Sequence, residues 1–278
     1  MTVIDFHTHV FPEKIAARAI ASLSAASHTV PFSDGTAQGL LQKADAAGIE
    51  KSVVLPVVTN PDKTVSVNDY SRAQTGSRLI YFGGMHPLFN GWKSELARLA
   101  DAGIKGIKVH PVYQGVALDD LRFLRILDRA AELGLTVVTH AGDDIGFPGA
   151  VFCSPEMARN ALRQVGKVHL VLAHMGGWHC WERVCDLLCD TGCFLDTSFS
   201  LGKIVPCDDH YKNGLPQLLS TQQATAIVKN FGADRVLFGT DSPWSDLADS
   251  IRAVRQMDLD DGEFEMIFHS NAARLLGL

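Results

Sequence analysis

Eight short runs of apolar and β-branched residues recur along the chain, at about 3–7, 51–57, 79–84, 106–110, 135–140, 168–174, 193–196 and 236–241. Amphipathic stretches lie between them, among them 36–47, 91–102, 118–133, 154–164, 181–190 and 221–231. Strand then helix, eight times over in 278 residues, predicts an α/β chain closed into a (β/α)8 TIM barrel. Gly48, Gly103, Gly134, Gly166, Gly192 and Gly232 close helical stretches, where a left-handed cap before the next strand is expected. An open doubly wound sheet is the structural alternative. It would hold the first and last strands apart, and no G-x-G-x-x-G follows the first strand. With no repeat, low-complexity tract or linker, residues 1–278 read as one domain, and 147–154, 199–217 and 242–250 read as active-site loops.

The ends of these runs carry the chemistry. His7 and His9 leave the first strand two residues apart, so a side-chain period of two puts both on one face, able to grip one ion. His140, His174 and Asp241 each end a later run. In a barrel, the C-terminal strand ends surround a common mouth, so all five residues are expected to converge there. A lone His-x-His is as well explained by packing; four separate strand exits bearing ligand-type residues are not.

Apolar residues make up 46% and charged residues 20%, enough for a large core. The formal charge is −6 with basic residues scattered, which argues against nucleic acid as a partner. No run is long enough to span a membrane and the chain enters its first strand without an apolar leader, so a cytoplasmic protein with no membrane partner is expected. Six cysteines without a C-x-x-C pair predict reduced, buried thiols, Cys185, Cys189 and Cys193 included.

The runs Ile4-Asp5-Phe6-His7-Thr8-His9, Gly106-Ile107-Lys108-Val109-His110-Pro111, Thr139-His140-Ala141-Gly142, Ala173-His174-Met175-Gly176-Gly177, Phe238-Gly239-Thr240-Asp241-Ser242-Pro243-Trp244 and Asn271-Ala272-Ala273-Arg274-Leu275-Leu276 stand in this order over nearly the whole chain. In them the chain resembles the amidohydrolase superfamily, in the amidohydrolase-related branch that includes aminocarboxymuconate semialdehyde decarboxylase and several lactone hydrolases. The resemblance implies one divalent metal, most often zinc with manganese as the alternative, held by His7, His9, His140 and Asp241. It implies an acid or base role for His174, shared with Asp241. Such an ion makes hydroxide available near neutral pH.

Lys108 admits two readings. In binuclear members of the superfamily a carboxylated lysine on the fourth strand bridges two metals; otherwise Lys108 is a buried lysine paired with a carboxylate such as Asp5 or Asp196. His86 and His110 follow strands and could meet substrate or serve as structural hydrogen-bond partners. Asp196 could anchor a ligand histidine or cap a turn. Trp178, Phe147, Tyr113 and Trp244 follow strands and either wall the mouth or pack within its loops. His169, out of phase with His174, is expected to face the helices, and His28, His179, His210 and His269 are expected in loops or helices.

These residues predict a hydrolase of a small lactone, ester or amide using metal-activated water. The alternative is non-oxidative decarboxylation of an aromatic or unsaturated acid on the same site, which lacks the arginine expected at a strand exit. A non-catalytic metal-binding barrel is the reading from a different class, set against the presence of all five site residues. A homodimer is the base-rate expectation for assembly.

Overall fold

A computed structural model describes residues 2–278. Its strands are β1 (Ile4–Thr8), β2 (Lys51–Val54), β3 (Leu79–Tyr81), β4 (Gly83–Gly84), β5 (Gly106–Val109), β6 (Thr136–Thr139), β7 (Leu170–Leu172), β8 (Phe194–Asp196) and β9 (Val236–Leu237). All pairings are parallel, in the orders β1-β2-β3 and β4 through β9. Strands β3 and β4 form one stave broken at Phe82, whose N–H still donates to Val54 O at 3.0 Å. The expected run 79–84 is thus a single stave with an interruption.

The seam between last and first staves is closed by backbone bonds: Phe6 N to Phe238 O at 2.8 Å, Asp241 N to His7 O at 2.8 Å and His9 N to Ser242 O at 2.7 Å. Eight staves therefore complete the barrel. One apolar cluster takes residues from nearly every stave, including Ile4, Phe6, Val53, Phe82, Val138, Val171 and Leu237, and fills the bore, with the helix Asn271–Leu276 against it. Alternate residues such as Val54, Ile107, Val137, Leu170 and Val236 join the outer cluster with the helices. Gly106 allows the tight bore: a Cβ there would meet the Phe82 ring and Thr136 O at 2.4 Å.

His7 and His9 share the mouth, as a side-chain period of two expects. The β1 and β2 register slips between Asp5 and Thr8, a bulge that lets Phe6 pack in the bore while His7 reaches the mouth just after it. Gly48, Gly103, Gly134 and Gly192 take the expected left-handed turn, whereas Gly166 does not and Gly232, at φ 101° and ψ 120°, extends instead. All six cysteines are free, but only Cys153 and Cys193 are buried; Cys185 and Cys189 are half-buried and Cys207 is exposed.

Three longer helices lie outside the expected set, Glu13–Ser27, Thr64–Gln74 and Leu247–Arg255, the last capped by Asp246 and so beginning within the stretch 242–250 that was expected to be a loop. The first is alanine-rich, so helix propensity and not a strong apolar stripe supports it. Its end is tied to the β8–β9 connection by Val30 N to Val205 O at 2.8 Å, Cys207 N to His28 O at 3.0 Å, and Tyr211 Oη to Ser27 O at 2.9 Å. His28 and His210 stack there, 3.8 Å between centroids. Among the described residues, no helix is long and apolar enough to cross a membrane.

Candidate metal centre

The mouth opens into a cavity of about 490 Å³. His7, His9, Lys108, His110, His140, His174 and Asp241 all line it, with Trp178, Tyr113 and Trp244 among the aromatic walls. Phe147, expected beside them, is 50% exposed and packs edge-on against Tyr113 from outside. His86 does not line the cavity either; its Nδ1 accepts the N–H of Leu88 at 3.2 Å, making it a turn cap. His169 is exposed near Phe194, short of the helix layer in which it was expected.

Three acceptor atoms converge at the base. His7 Nε2 and His9 Nε2 stand 3.2 Å apart, and Asp241 Oδ1 is 3.3 Å from the first and 3.1 Å from the second. His7 Nδ1 donates to Asp196 Oδ2 at 2.8 Å and His9 Nδ1 donates to Leu55 O at 2.7 Å. In the neutral rings both Nε2 atoms are therefore bare lone pairs. Burial, followed by the Lys108 charge, holds the His7 pKa well below its ordinary value, which keeps the ring neutral. Burial by itself would raise the Asp241 carboxyl, but the His9 contact and the His7 and His174 rings hold it below the usual carboxylate range. Two bare nitrogens and an anionic oxygen gathered at one point, with their outer atoms tied to a carboxylate and a carbonyl, form a donor set that fits a divalent cation.

Asp196 is the anchor of this set. Its Oδ1 accepts from His174 N at 3.1 Å, Ser198 N at 3.0 Å and the Ser198 hydroxyl, while Oδ2 accepts the His7 Nδ1–H. Asp196→Asn replaces an acceptor-only group by one with a donor amide and removes the anionic acceptor that orients the His7 ring. Metal affinity should fall about 10- to 100-fold, read by chelator competition; an unchanged affinity would remove Asp196 from this role.

His140 and His174 meet beside the triad. His174 Nδ1 donates to Ser198 O at 2.9 Å, His140 Nε2 donates to Asp143 O at 3.0 Å, and the remaining nitrogens, His174 Nε2 and His140 Nδ1, face one another at 3.0 Å. Burial, then Lys108, pushes His140 down to about 4; burial, then His140, pushes His174 down to about 4. Two neutral rings thus present lone pairs to each other, a contact that a shared proton or a cation satisfies. The expected fourth ligand, His140, therefore sits at the mouth but faces His174 and not the triad.

Lys108 departs from the expected ion pair. Among the described residues it makes no salt bridge; Asp5 is held instead by Thr240 Oγ1 at 2.6 Å, Thr240 N at 3.0 Å and His7 N at 3.1 Å, and Asp196 is taken by His7. Lys108 Nζ lies 3.2 Å from His7 Nε2, and burial lowers its pKa to about 8.

A second group, His110, His140 and Asp144, is looser, with Asp144 Oδ2 3.6 Å from His110 Nε2 and 3.8 Å from His140 Nε2. Its nitrogens suit it less to a metal: His110 Nδ1 accepts the Tyr113 N–H at 3.4 Å and His140 Nε2 donates to Asp143 O, so the Nε2 atoms turned towards Asp144 carry protons. Asp143, Asp144 and Ser198 were missed in the sequence; two of them directly follow the His140 exit, and acidic residues at that place were the available signal. Gly142 makes this loop possible, because a Cβ there would meet Trp178 N at 2.1 Å. Burial raises the Asp144 carboxyl to about 6.

A family model described as amidohydrolase matches residues 4–278. Among solved structures, an uncharacterized TIM-barrel protein from Bordetella bronchiseptica is 18% identical at a TM-score of 0.76, with 100% of this chain and 99% of that one covered. A 2,6-dihydroxybenzoate decarboxylase from Rhizobium is 16% identical at 0.70, with 100% and 99% covered. The 5-carboxyvanillate decarboxylase of Novosphingobium aromaticivorans, complexed with manganese and 4-hydroxy-3-methoxy-5-nitrobenzoic acid, is 17% identical at 0.70, with 100% and 96% covered. No curated protein matches the sequence. The match over all but the first three residues, on a barrel whose mouth gathers the histidines and aspartate of the quoted motifs, shows that this chain belongs to the amidohydrolase family.

Proposed function

We propose that this protein is a divalent-metal-dependent decarboxylase of a small hydroxylated aromatic carboxylic acid, with His140 completing the ligand set of His7, His9 and Asp241. The observation that carries the reading is the convergence of bare acceptors at the base of an aromatic-walled cavity large enough for one ring. The named activities of the decarboxylases with this fold support the reaction, and the manganese in one of them supports manganese over the zinc expected from the sequence.

The bound ion would supply positive charge for the substrate carboxylate and an adjacent oxygen. Trp178, Tyr113, Trp244 and Phe199 hold the ring flat and exclude water. With His140 Nδ1 given to the ion, His174, held at Nδ1 by Ser198 O, carries a proton on Nε2 and gives it to the ring carbon. A π pair of the ring forms the new C–H bond; the bond from that carbon to the carboxylate then breaks, its electron pair returns to the ring and restores aromaticity, and carbon dioxide leaves. No water is consumed. Asp241 stays anionic throughout, which its depressed pKa allows.

Hydrolysis of a neutral lactone or ester is the second reading, favoured by one observation: no arginine lines the cavity. Manganese-loaded protein incubated with hydroxybenzoic acids in D2O separates the two. Decarboxylation should release carbon dioxide and leave one deuterium on the product ring. Turnover of lactones, with 18O from labelled water in the product acid and no carbon dioxide from any aromatic acid, would sink the decarboxylase assignment.

A further inference from the structure

Asp144 uses its carboxylate on one side only. Oδ1 accepts the N–H of Gly146 at 2.8 Å, while Oδ2 has no hydrogen-bond partner among the described residues. The side chain is more than nine-tenths buried and lines the cavity. Opposite it stands His110. Its Nδ1 is occupied by the Tyr113 N–H, so the neutral ring carries its proton on Nε2, 3.6 Å from Asp144 Oδ2. That separation is too long for a direct hydrogen bond.

A buried acceptor and a buried donor that face each other without joining need a group that donates to one and accepts from the other. A hydroxyl does both. A second carboxylate placed there would meet Asp144 charge against charge, and an ammonium would leave the His110 N–H without an acceptor. The lining offers nothing else to hold a second anion: it contains no arginine, and its one lysine, Lys108, lies against His7.

The place of this pair fixes its distance from the reacting end. The rings of His174 and His140 lie 4.7 Å apart, those of His140 and His110 4.4 Å, and Tyr113 continues the stack at 3.9 Å from His110. From His174, beside the triad, to His110, opposite Asp144, the wall therefore runs through three imidazoles, so that a benzene ring laid along it can meet the triad with one edge and Asp144 with the opposite one.

We propose that Asp144 Oδ2 and His110 Nε2 bind a phenolic hydroxyl, so that the pocket selects an aromatic monocarboxylate with a hydroxyl remote from its carboxylate and rejects aromatic diacids. This rests on the reading of the site as one for aromatic acids, and names the substrate class within it.

The test is calorimetric binding to manganese-loaded protein of 2-hydroxybenzoate, 2,4-dihydroxybenzoate, 2,5-dihydroxybenzoate and terephthalate, in wild type, Asp144→Ala and Asp144→Asn. In wild type one dihydroxy acid should bind about tenfold tighter than 2-hydroxybenzoate, and terephthalate about tenfold weaker. In the variants the advantage of the second hydroxyl should shrink below about twofold. Asp144→Asn keeps an oxygen for the Gly146 N–H and so serves if Asp144→Ala does not fold, with manganese content as the check on both. The proposal is overturned if the second hydroxyl brings no gain in wild type, if the gain survives in the variants, if terephthalate binds as well as the dihydroxy acids, or if none of the four binds. Because binding is read, selectivity without carbon dioxide release would leave this subsite standing and sink the reaction assigned above.

Discussion

Asp241→Ala should purify with less than about a tenth of a metal ion per chain where wild type holds about one, and its turnover should fall by a factor on the order of 10³. The expectation comes from what the carboxylate does for its neighbours. It is the anionic member of the triad, and its Oδ1 lies within 3.3 Å of both bare histidine nitrogens. Removing it leaves two neutral imidazoles, a weak pair for a divalent cation. Elemental analysis of protein purified without affinity-tag histidines reads the first quantity, and carbon dioxide release under saturating manganese reads the second. The variant should fold, since Asp241 N bonds to His7 O through the backbone and alanine keeps that bond, although the left-handed φ of 64° at this position adds some strain. Wild-type metal content in this variant would mean that the triad is not the metal site. Two ions per wild-type chain would turn attention to Lys108.

His174→Ala should do the opposite: retain most of the metal and lose turnover by about 10²- to 10⁴-fold. The side chain lies beside the triad, yet its Nε2 is directed at His140 Nδ1 and its Nδ1 at Ser198 O, so it contributes no atom to the three converging acceptors. A residue that moves a proton should lower kcat with KM little changed, because its effect belongs to the transition state. Added imidazole restoring part of the rate would identify the lost function as proton transfer. Unimpaired turnover would remove His174 from the reaction.

The barrel was legible in the sequence because its period is coarse: eight apolar runs divided by helices survive errors of several residues at each boundary. The site was legible because strand exits share one mouth, so His7, His9, His140, His174 and Asp241 could be brought together without any knowledge of the loops. Finer matters were hidden for physical reasons. The bulge between Asp5 and Thr8 changes which residues face inward, and alternation cannot reveal it. Lys108 was expected beside Asp5 or Asp196, but those carboxylates are claimed by Thr240 and His7, partners far away along the chain. The helix Glu13–Ser27 carries only a weak apolar stripe, and the cavity wall it provides through Ile15 and Leu23 was missed with it. Asp144 was overlooked because an acidic residue in a loop is ordinarily solvated; only the fold shows that this one is buried.

The closed seam between β9 and β1 has a bearing on how the protein is made. His7 and His9 leave the ribosome well before Asp241, separated by more than 230 residues of intervening chain. No partial product that stops short of the last stave holds the triad, so acquisition of the ion belongs to the finished barrel and not to any shorter intermediate. Contacts this distant in sequence form late and at the greatest entropic cost. An ion gripped from both sides of the seam acts as its clasp: its binding free energy is added to the pairing that forms last and would otherwise be first to open.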